Sequence, residues 1–226
     1  MTKKPKRRTH HLAFLLAGLF FLPAAGRSKP SPPPSPAINR PTSEPYTGDL
    51  AIFEDSKRAQ NLQVDWVMDL LGIHPGSSVA DIGAGGGWFS VRAARRVGSR
   101  GTVYAEDINS AYVKKIAARA RREKLPNVRA ILGTADDPRL PARSVDAVLF
   151  LKVYHEVAQP IQLLGRVRAV LRPGGRVGII DRNGNGANHG LGADNVMKEL
   201  RQAGFSFVAK YDFVKGDGVD YFLVFR

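Results

Sequence analysis

The sequence of 226 residues contains no cysteine. A chain without cysteine cannot form disulfides, thiolate zinc sites or a cysteine nucleophile, so these three kinds of chemistry are excluded. Hydrophobic residues make up 43% of the chain and charged residues 24%, which excludes a fibrous or wholly disordered protein. The length is sufficient for one α/β domain with a buried core and additional sequence outside it.

No apolar run is long enough to span a bilayer comfortably. Leu12–Ala25 is apolar and follows the basic residues between Lys3 and Arg8. As a helix it would extend about 21 Å, against the roughly 30 Å of a bilayer core. This pattern predicts a signal peptide over residues 1–26, cleaved before Arg27, in a protein exported to the periplasm or cell envelope. An uncleaved anchor or a mis-assigned start codon remains open, and an inward-facing anchor or a mis-assigned start would leave the domain in the cytoplasm.

Acidic residues are scarce: 20 acidic against 34 basic side chains give a formal charge of +14. Residues 1–45 hold eight of the basic residues and one acidic residue, so half of the excess lies outside the expected domain. The densest remaining basic stretch, residues 114–124, is typical of a solvated helix face. We therefore expect no nucleic-acid partner, and membrane contact only through the N-terminal segment. The sequence does not indicate the oligomeric state.

A proline-rich stretch divides the basic leader from the rest of the chain. Residues 27–45 hold seven prolines among polar residues, a composition that favours extended conformations and cannot bury apolar surface. We interpret residues 27–45 as a linker and residues 46–226 as the folded domain.

Within that domain, apolar strand patterns alternate with helical ones. Strands are expected at 77–82, 102–108, 127–132, 145–151, 176–180, 205–214 and 220–226, and helices at 62–71, 88–97, 110–124, 161–171 and 194–203. Alternating βα units predict a Rossmann-like α/β fold whose seven-stranded sheet is mostly parallel, with helices on both faces. The last two strands, joined by residues 215–218, predict a closing antiparallel β-hairpin.

The sharpest motif follows the first of these strands. Asp81 is followed by Gly83, Gly85 and Gly87, which allow a tight turn and the close approach of a ligand at the strand's carboxyl end. The third glycine of a dinucleotide fingerprint falls on Trp88, and Asp81 would repel a pyrophosphate. An NAD-linked oxidoreductase is therefore disfavoured.

This turn resembles motif I of the class I S-adenosylmethionine-dependent methyltransferases, D-x-G-x-G-x-G. Three later segments resemble further family motifs in order: V-Y-A-E-D-I, G-T-A-D-D, and the fourth strand with its L-R-P-G-G turn into the fifth. The resemblance covers residues 55–226 and implies S-adenosylmethionine as the cofactor. The cofactor-binding residues that it implies are Asp81, Gly83, Ala84, Gly85, Gly87, Asp107, Ile108, Ala135 and Asp136.

Two of these assignments have alternatives. The family's ribose-binding acid aligns with Asp107, since adjacent Glu106 would point to the other face of the strand. Asp107 could instead cap the following helix. Asp136, implied to contact adenine, could instead belong to an ordinary turn around Asp137-Pro138.

Catalytic residues are expected after the fourth strand. His155, oriented by a carboxylate, is a candidate general base, with Tyr154 beside it; alternatively, this loop only shapes the acceptor pocket. The N/D-P-P-Y/F turn of the family's amide and adenine N-methylating members is missing here. Asp181 is followed by Arg182 where magnesium-dependent members carry Asp-Asn, so no metal is expected.

Two further segments could border the cleft. The loop 181–192, with Arg182 and His189, could cover the acceptor or could be an ordinary long connection. The helix before the first strand could close the cleft with Arg58, whereas Trp66 is expected in the core.

The resemblance implies a methyltransferase that acts on a small-molecule acceptor by in-line displacement. A non-catalytic module that keeps the fold, and perhaps the cofactor, is the alternative.

Overall fold

The computed structural model describes residues 1–2 and 40–226. The predicted signal segment and most of the predicted linker lie outside the described residues. Among the described residues, no helix is both long and apolar enough to cross a membrane.

A seven-stranded sheet forms the centre of the domain, as predicted. Its strands are β1 Ser78–Ile82, β2 Thr102–Asp107, β3 Val128–Leu132, β4 Val145–Leu151, β5 Leu171–Arg182, β6 Phe207–Tyr211 and β7 Asp220–Phe225. They are ordered β3-β2-β1-β4-β5-β7-β6, with β1 to β5 parallel and β7 antiparallel to both of its neighbours. The predicted closing hairpin is therefore confirmed, and β7 lies between β5 and β6.

Helices flank this sheet, and the longer ones lie where apolar residues recur at helical spacing in the sequence. They are α1 Arg58–Asn61, α2 Val64–Leu70, α3 Trp88–Val97, α4 Ser110–Arg122, α5 Pro160–Val170 and α6 Ala193–Gln202. Two 3₁₀ helices, Leu50–Phe53 and Tyr154–Glu156, follow the N-terminal segment and β4. The start of α4 is fixed by Asn109, whose side chain accepts a hydrogen bond from the Ala111 N–H at 2.9 Å.

Alternate residues of the central strands enter two different cores. Ala80 and Phe150 pack with α5 and α6, whereas Val79 and Leu149 pack with α2 and α3. Because successive strand residues point to opposite faces, this division confirms that helices cover both sides of the sheet.

The strand β5 is longer than the sequence predicted. Val145 of β4 pairs with Leu171, but the next pair is Ala147 with Arg176, so residues 172–175 form an irregularity at the start of β5. The L-R-P-G-G segment thus turns the chain inside this ladder, with Gly174 at φ +82°.

The folded region extends further towards the N-terminus than residue 46. Ser43 is buried, and Arg40 forms an ion pair with the buried Glu199 at 2.6 Å. Residues 40–45, assigned to the linker on composition, therefore pack on the domain. A proline-rich composition predicts an extended linker only where the segment makes no contact with the domain. Here the side chains of Arg40 and Ser43 bind the buried residues Glu199 and Gly186.

The expectation that Trp66 belongs to the core is wrong. Its side chain is 48% exposed and stacks on Phe213 at a centroid distance of 4.6 Å. Val67, the next residue along α2, lies instead on the buried face of the helix.

Candidate active site

A cavity of about 530 Å³ opens at the carboxyl edge of the sheet, around the ends of β1, β2 and β4. From β1 the chain continues through β2 to β3 on one side, and it then crosses to β4 on the other side of β1. The strand order therefore reverses between β1 and β4, where doubly wound folds have the crevice that binds ligands. The cavity is of the size that holds a small organic ligand. Its outer wall is formed by residues 42–58, which precede the first strand.

The glycine turn forms the floor of this cavity. Gly83, Gly85 and Gly87 have φ values of +66°, +56° and +74°, in the left-handed region where a Cβ is unfavourable. A Cβ on Gly83 would also lie 2.5 Å from the Val153 side chain. Gly83, Ala84 and Gly85 line the cavity as expected.

Gly87 has a different place from the one that the resemblance implied. It does not line the cavity but forms the N-cap of α3, with the Ile116 side chain behind it. Gly87 therefore serves the backbone path into α3 and the packing of α3 against α4.

Asp81 lies at the cavity wall beneath the glycine turn. It is almost fully buried and accepts a hydrogen bond from the Ser90 hydroxyl at 2.5 Å. Burial raises the pKa of Asp81 to about 6, against the opposing effects of Ser90 and of the Arg58 charge. An acid at this place favours a cationic ligand group over a phosphate.

Asp107 closes the end of β2 and lines the cavity, where the sequence placed it. One carboxylate oxygen accepts the Gly85 N–H at 2.9 Å, and the other accepts the Asn109 N–H at 2.8 Å. Burial raises the pKa of Asp107 above its usual value. These bonds fix its carboxylate between the glycine turn and the start of α4.

Glu106 also lines the cavity, although strand alternation predicted that it would point to the other face of β2. Its carboxylate reaches the Gly83 N–H at 3.4 Å and lines the same cavity as Asp107. A three-bond side chain can bend over the edge of the sheet, and Gly133 has no Cβ in the space that it occupies. Strand alternation alone therefore does not exclude Glu106 from the cavity wall.

The Glu106 carboxylate is also incompletely paired. Its second oxygen, Oε1, is buried and has no hydrogen-bond partner among the described residues. Burial, with a smaller effect from Asp107, raises the pKa of Glu106 to about 8. A buried carboxyl in this state is suited to donate a hydrogen bond to a ligand or to pair with a cation.

The next implied contacts divide into two groups. Ile108 and Ala135 line the cavity. Asp136 does not: its two oxygens accept hydrogen bonds from Thr134 at 2.8 Å and Gln162 at 2.5 Å. The structure thus places Asp136 in the turn network that was its alternative, outside the cavity wall.

Tyr154 is not at the cavity, contrary to the expectation of a catalytic role. Its side chain is fully buried, packs edge-on against Phe150 and donates a hydrogen bond to Glu199 at 2.9 Å. The short 3₁₀ helix after β4 turns this ring into the core.

His155 is buried beside the cavity but does not line it. Its Nδ1 atom lies 2.9 Å from Asp181, and its backbone N–H donates to the same carboxylate at 3.0 Å. The orienting carboxylate expected from the sequence is therefore Asp181, at the end of β5. Direct proton transfer from an acceptor in the cavity to His155 has no contact to support it.

Glu156 lines the cavity instead, next to His155 along the chain. Its Oε1 atom accepts the Tyr46 N–H at 3.3 Å. Burial raises the pKa of Glu156 to about 7, although the His155 ring opposes the rise.

The segment before β1 supplies contacts that motif matching did not identify. Arg58 lines the cavity, and its guanidinium lies 4.5 Å from the centre of the Trp88 ring. The Tyr112 hydroxyl donates to the Gly48 carbonyl at 2.9 Å and ties this segment to α4. Arg58 thus lies where the sequence allowed it to close the cleft, whereas Trp66 does not line the cavity.

A family model described as a methyltransferase domain matches residues 79–175. Nocamycin O-methyltransferase of Saccharothrix syringae is 35% identical over 113 residues, 50% of this chain and 40% of the relative. Aklanonic acid methyltransferase of Streptomyces sp. (strain C5) is 32% identical over 102 residues, 45% of this chain and 46% of the relative. The matches span less than half the length of both relatives.

The fold comparison agrees with these matches. A solved S-adenosylmethionine-dependent methyltransferase from Aquifex aeolicus superposes with a TM-score of 0.72 at 22% identity, covering 79% of this chain and 98% of that one. The match of residues 79–175 to this family and the shared fold support a class I, Rossmann-like S-adenosylmethionine-dependent methyltransferase, with S-adenosylmethionine as its cofactor.

Proposed function

We propose that this member of the class I methyltransferases transfers the methyl group of S-adenosylmethionine to a small-molecule acceptor. The observation that carries the proposal is the convergence of Asp81, the glycine turn and Asp107 on one cavity at the carboxyl edge of the sheet.

The residues of the cavity fit this cofactor. S-adenosylmethionine has an ammonium and a sulfonium group and no phosphate, and the cavity wall has the carboxyl groups of Asp81, Glu106 and Asp107. The buried, unpartnered oxygen of Glu106 provides a polar site for a ligand. The glycine turn leaves space that side chains at Gly83 and Gly85 would restrict.

Each end of the cofactor has a matching part of the wall. We assign the ribose hydroxyls to Asp107, whose carboxylate is already oriented by the Gly85 and Asn109 N–H groups. We assign adenine to Ile108 and Ala135, which present apolar surface beside that carboxylate. The methionine ammonium belongs near Asp81, where a positive charge compensates a buried acid.

When bound, the sulfonium supplies a methyl carbon that the acceptor atom attacks as the carbon–sulfur bond breaks and its electron pair goes to sulfur. The chain contributes mainly by holding the acceptor in line with that bond and by excluding water. Residues 42–58 cover the cavity on its outer side and thereby limit the access of water.

A small-molecule acceptor is favoured by the shape of the cavity and by the relatives. Residues 42–46, Val153 and Glu156 also line the cavity, and none of them is assigned to the cofactor above. The names of two relatives refer to small molecules, nocamycin and aklanonic acid.

The activity is tested by release of S-adenosylhomocysteine from S-adenosylmethionine over a panel of hydroxyl-, carboxyl- and amine-bearing small molecules. We expect turnover with at least one acceptor class and its loss in the Asp107→Ala variant. Binding of the cofactor without turnover on any acceptor would instead support a non-catalytic module.

The location is a separate proposal. The pattern of residues 1–26 supports export or membrane anchoring in the cell envelope. Mass spectrometry of the mature N-terminus tests it: a start at Arg27 is expected for a cleaved signal peptide, whereas a retained Met1 in a protein recovered from the cytosol would contradict export.

A further inference from the structure

Three side chains with metal-binding atoms meet beside the cavity. His155 and Glu156 follow β4, and His189 lies in the loop after β5. One ligand atom from each lies within 4.8 Å of the others. This combination of two imidazoles and one carboxylate comes from separate loops, so the fold and not the local sequence assembles it.

The His155 ring is oriented towards Glu156 by the carboxylate behind it. With Asp181 at 2.9 Å from Nδ1, the ring proton is held on that side and the lone pair of Nε2 remains available. Glu156 Oε1 lies 3.7 Å from Nε2, which is beyond hydrogen-bond distance. A carboxylate that orients a histidine in this way is the usual support of a metal-bound imidazole.

The loops that carry the two histidines are tied together through Ser43. The Ser43 N–H donates to the His155 carbonyl at 3.2 Å, and its hydroxyl oxygen accepts the His189 N–H at 2.9 Å. The same hydroxyl donates to the Gly186 carbonyl at 2.6 Å. A buried serine therefore fixes the separation of the two backbones.

His189 has a backbone conformation that supports a specific placement of its ring. Its φ is +56°, a region that a residue with a Cβ adopts only when its surroundings hold it there. Its ring stands edge-on to His155 at a centroid distance of 5.7 Å. The edge-on contact thus places the ring of this exposed loop residue against the buried histidine.

We propose that His155, Glu156 and His189 bind one divalent transition metal ion of the type of Zn²⁺. Ligand atoms of a tetrahedral zinc site with bonds of roughly 2.0–2.1 Å lie about 3.4 Å apart, so the present separations of up to 4.8 Å need to shorten by at most about 1.4 Å. The ion would also compensate the charges of Glu156 and of Asp181 behind His155.

Three protein ligands leave the fourth position of a tetrahedral zinc ion open. Glu156 is shared by the cluster and the cavity wall, so the ion would lie beside the cavity. As a consequence that rests on the proposed function, the ion would bind the acceptor's hydroxyl oxygen. The hydroxyl proton would go to solvent, and the oxygen would form its new bond to the methyl carbon as the carbon–sulfur bond breaks.

The test is a calorimetric titration of the metal-stripped, full-length chain with Zn²⁺ in the absence of S-adenosylmethionine. We expect one ion per chain with a dissociation constant in the micromolar range or below. Titration with Co²⁺ adds a visible absorption spectrum that reports four-coordinate nitrogen and oxygen ligation. Both measurements are independent of methyl transfer, so their failure would leave the proposed function intact.

Variants separate this site from other histidines. His189→Ala, at an exposed position, and Glu156→Gln should each weaken Zn²⁺ binding at least tenfold, whereas His74→Ala, before the start of β1, should not. Because the chain also holds His10 and His11, the titration is repeated with both replaced by alanine, and the ion should still bind. No binding in that background, or unchanged affinity in His189→Ala, would overturn the proposal and leave His155 as a buried histidine paired with Asp181.

Discussion

The sequence predicted the position of one of the two neighbouring acidic residues at the end of β2, Asp107, better than that of the other, Glu106. Asp107 was identified by its position in a motif, and its carboxylate is anchored by two backbone N–H groups. The sequence did not reveal that Glu106 reaches the cavity, because its side chain occupies space left by the missing Cβ of Gly133, the residue that follows β3. A motif therefore locates a charged residue, whereas its orientation depends on tertiary neighbours.

Replacing Asp107 should weaken the cofactor, and replacing Asp136 should not. Hydrogen bonds to a charged group contribute roughly 1.5–3 kcal/mol, so Asp107→Ala should lower the affinity for S-adenosylmethionine at least about tenfold. Asp136→Ala, whose carboxylate lies outside the cavity wall, should remain within about twofold. Calorimetry measures both, with circular dichroism to check the fold; equal losses in the two variants would contradict the placement of the ribose.

The Glu106 carboxyl should make the ligand-free domain less stable at alkaline pH. Its pKa is raised to about 8 in the folded state, so the folded state holds this proton more tightly than the unfolded chain. The resulting stability is fully present below the unfolded pKa of about 4.3 and is lost as pH rises through about 8.

The Glu106→Gln variant removes this dependence. Relative to wild type, its free energy of unfolding should be higher at pH 9 by roughly 1–3 kcal/mol, with a smaller difference at pH 6. Urea unfolding at the two pH values measures this, and the exposed Asp65→Asn serves as the control. A pH-independent difference between Glu106→Gln and wild type would show that the carboxyl is not buried as described.

At the scale of elements, the glycine turn was predictable because glycine is the residue type that favours the positive φ values of such a turn. Glycine tolerates left-handed conformations that other residues disfavour, and the three glycines after β1 have φ values of +66°, +56° and +74°. The helix that follows begins at Trp88, as expected. Which glycines touch the cavity was not predictable, since Gly87 differs from Gly83 only in what surrounds it.

Adding a methyl group to Gly83 tests this turn. Gly83→Ala combines left-handed strain of roughly 1–2 kcal/mol with overpacking against Val153 of roughly 1–3 kcal/mol. Gly76→Ala has a similar φ, +90°, but open space, and should show the strain alone. Adding Val153→Ala to Gly83→Ala should recover the overpacking part in a double-mutant cycle of urea unfolding; additive losses would contradict the contact.

At the scale of the whole molecule, alternating apolar patterns were sufficient for the sheet, its helices and the hairpin. They were insufficient for the N-terminal boundary, since Arg40 and Ser43 stand in a proline-rich stretch and contact residues more than one hundred positions away. Such contacts have no local signature. The same holds for the His155, Glu156 and His189 cluster, which only the meeting of two loops creates.

The buried ion pair of Arg40 provides the test of this boundary. Arg40→Ala should destabilise the domain by roughly 3–5 kcal/mol, because it leaves the buried Glu199 charge without its partner. Arg95→Ala, which removes an exposed pair with Glu123, should change stability by less than about 1 kcal/mol. Thermal or urea unfolding distinguishes them, and a loss for Arg40→Ala no larger than that for Arg95→Ala would return residues 40–45 to the linker.

The central claim is that the cavity lined by the glycine turn binds S-adenosylmethionine. Calorimetric titration of the full-length chain with S-adenosylmethionine and S-adenosylhomocysteine tests it most directly. The account predicts one site per chain for each ligand, with dissociation constants in the micromolar range. The absence of detectable binding of both ligands at millimolar concentration would contradict it.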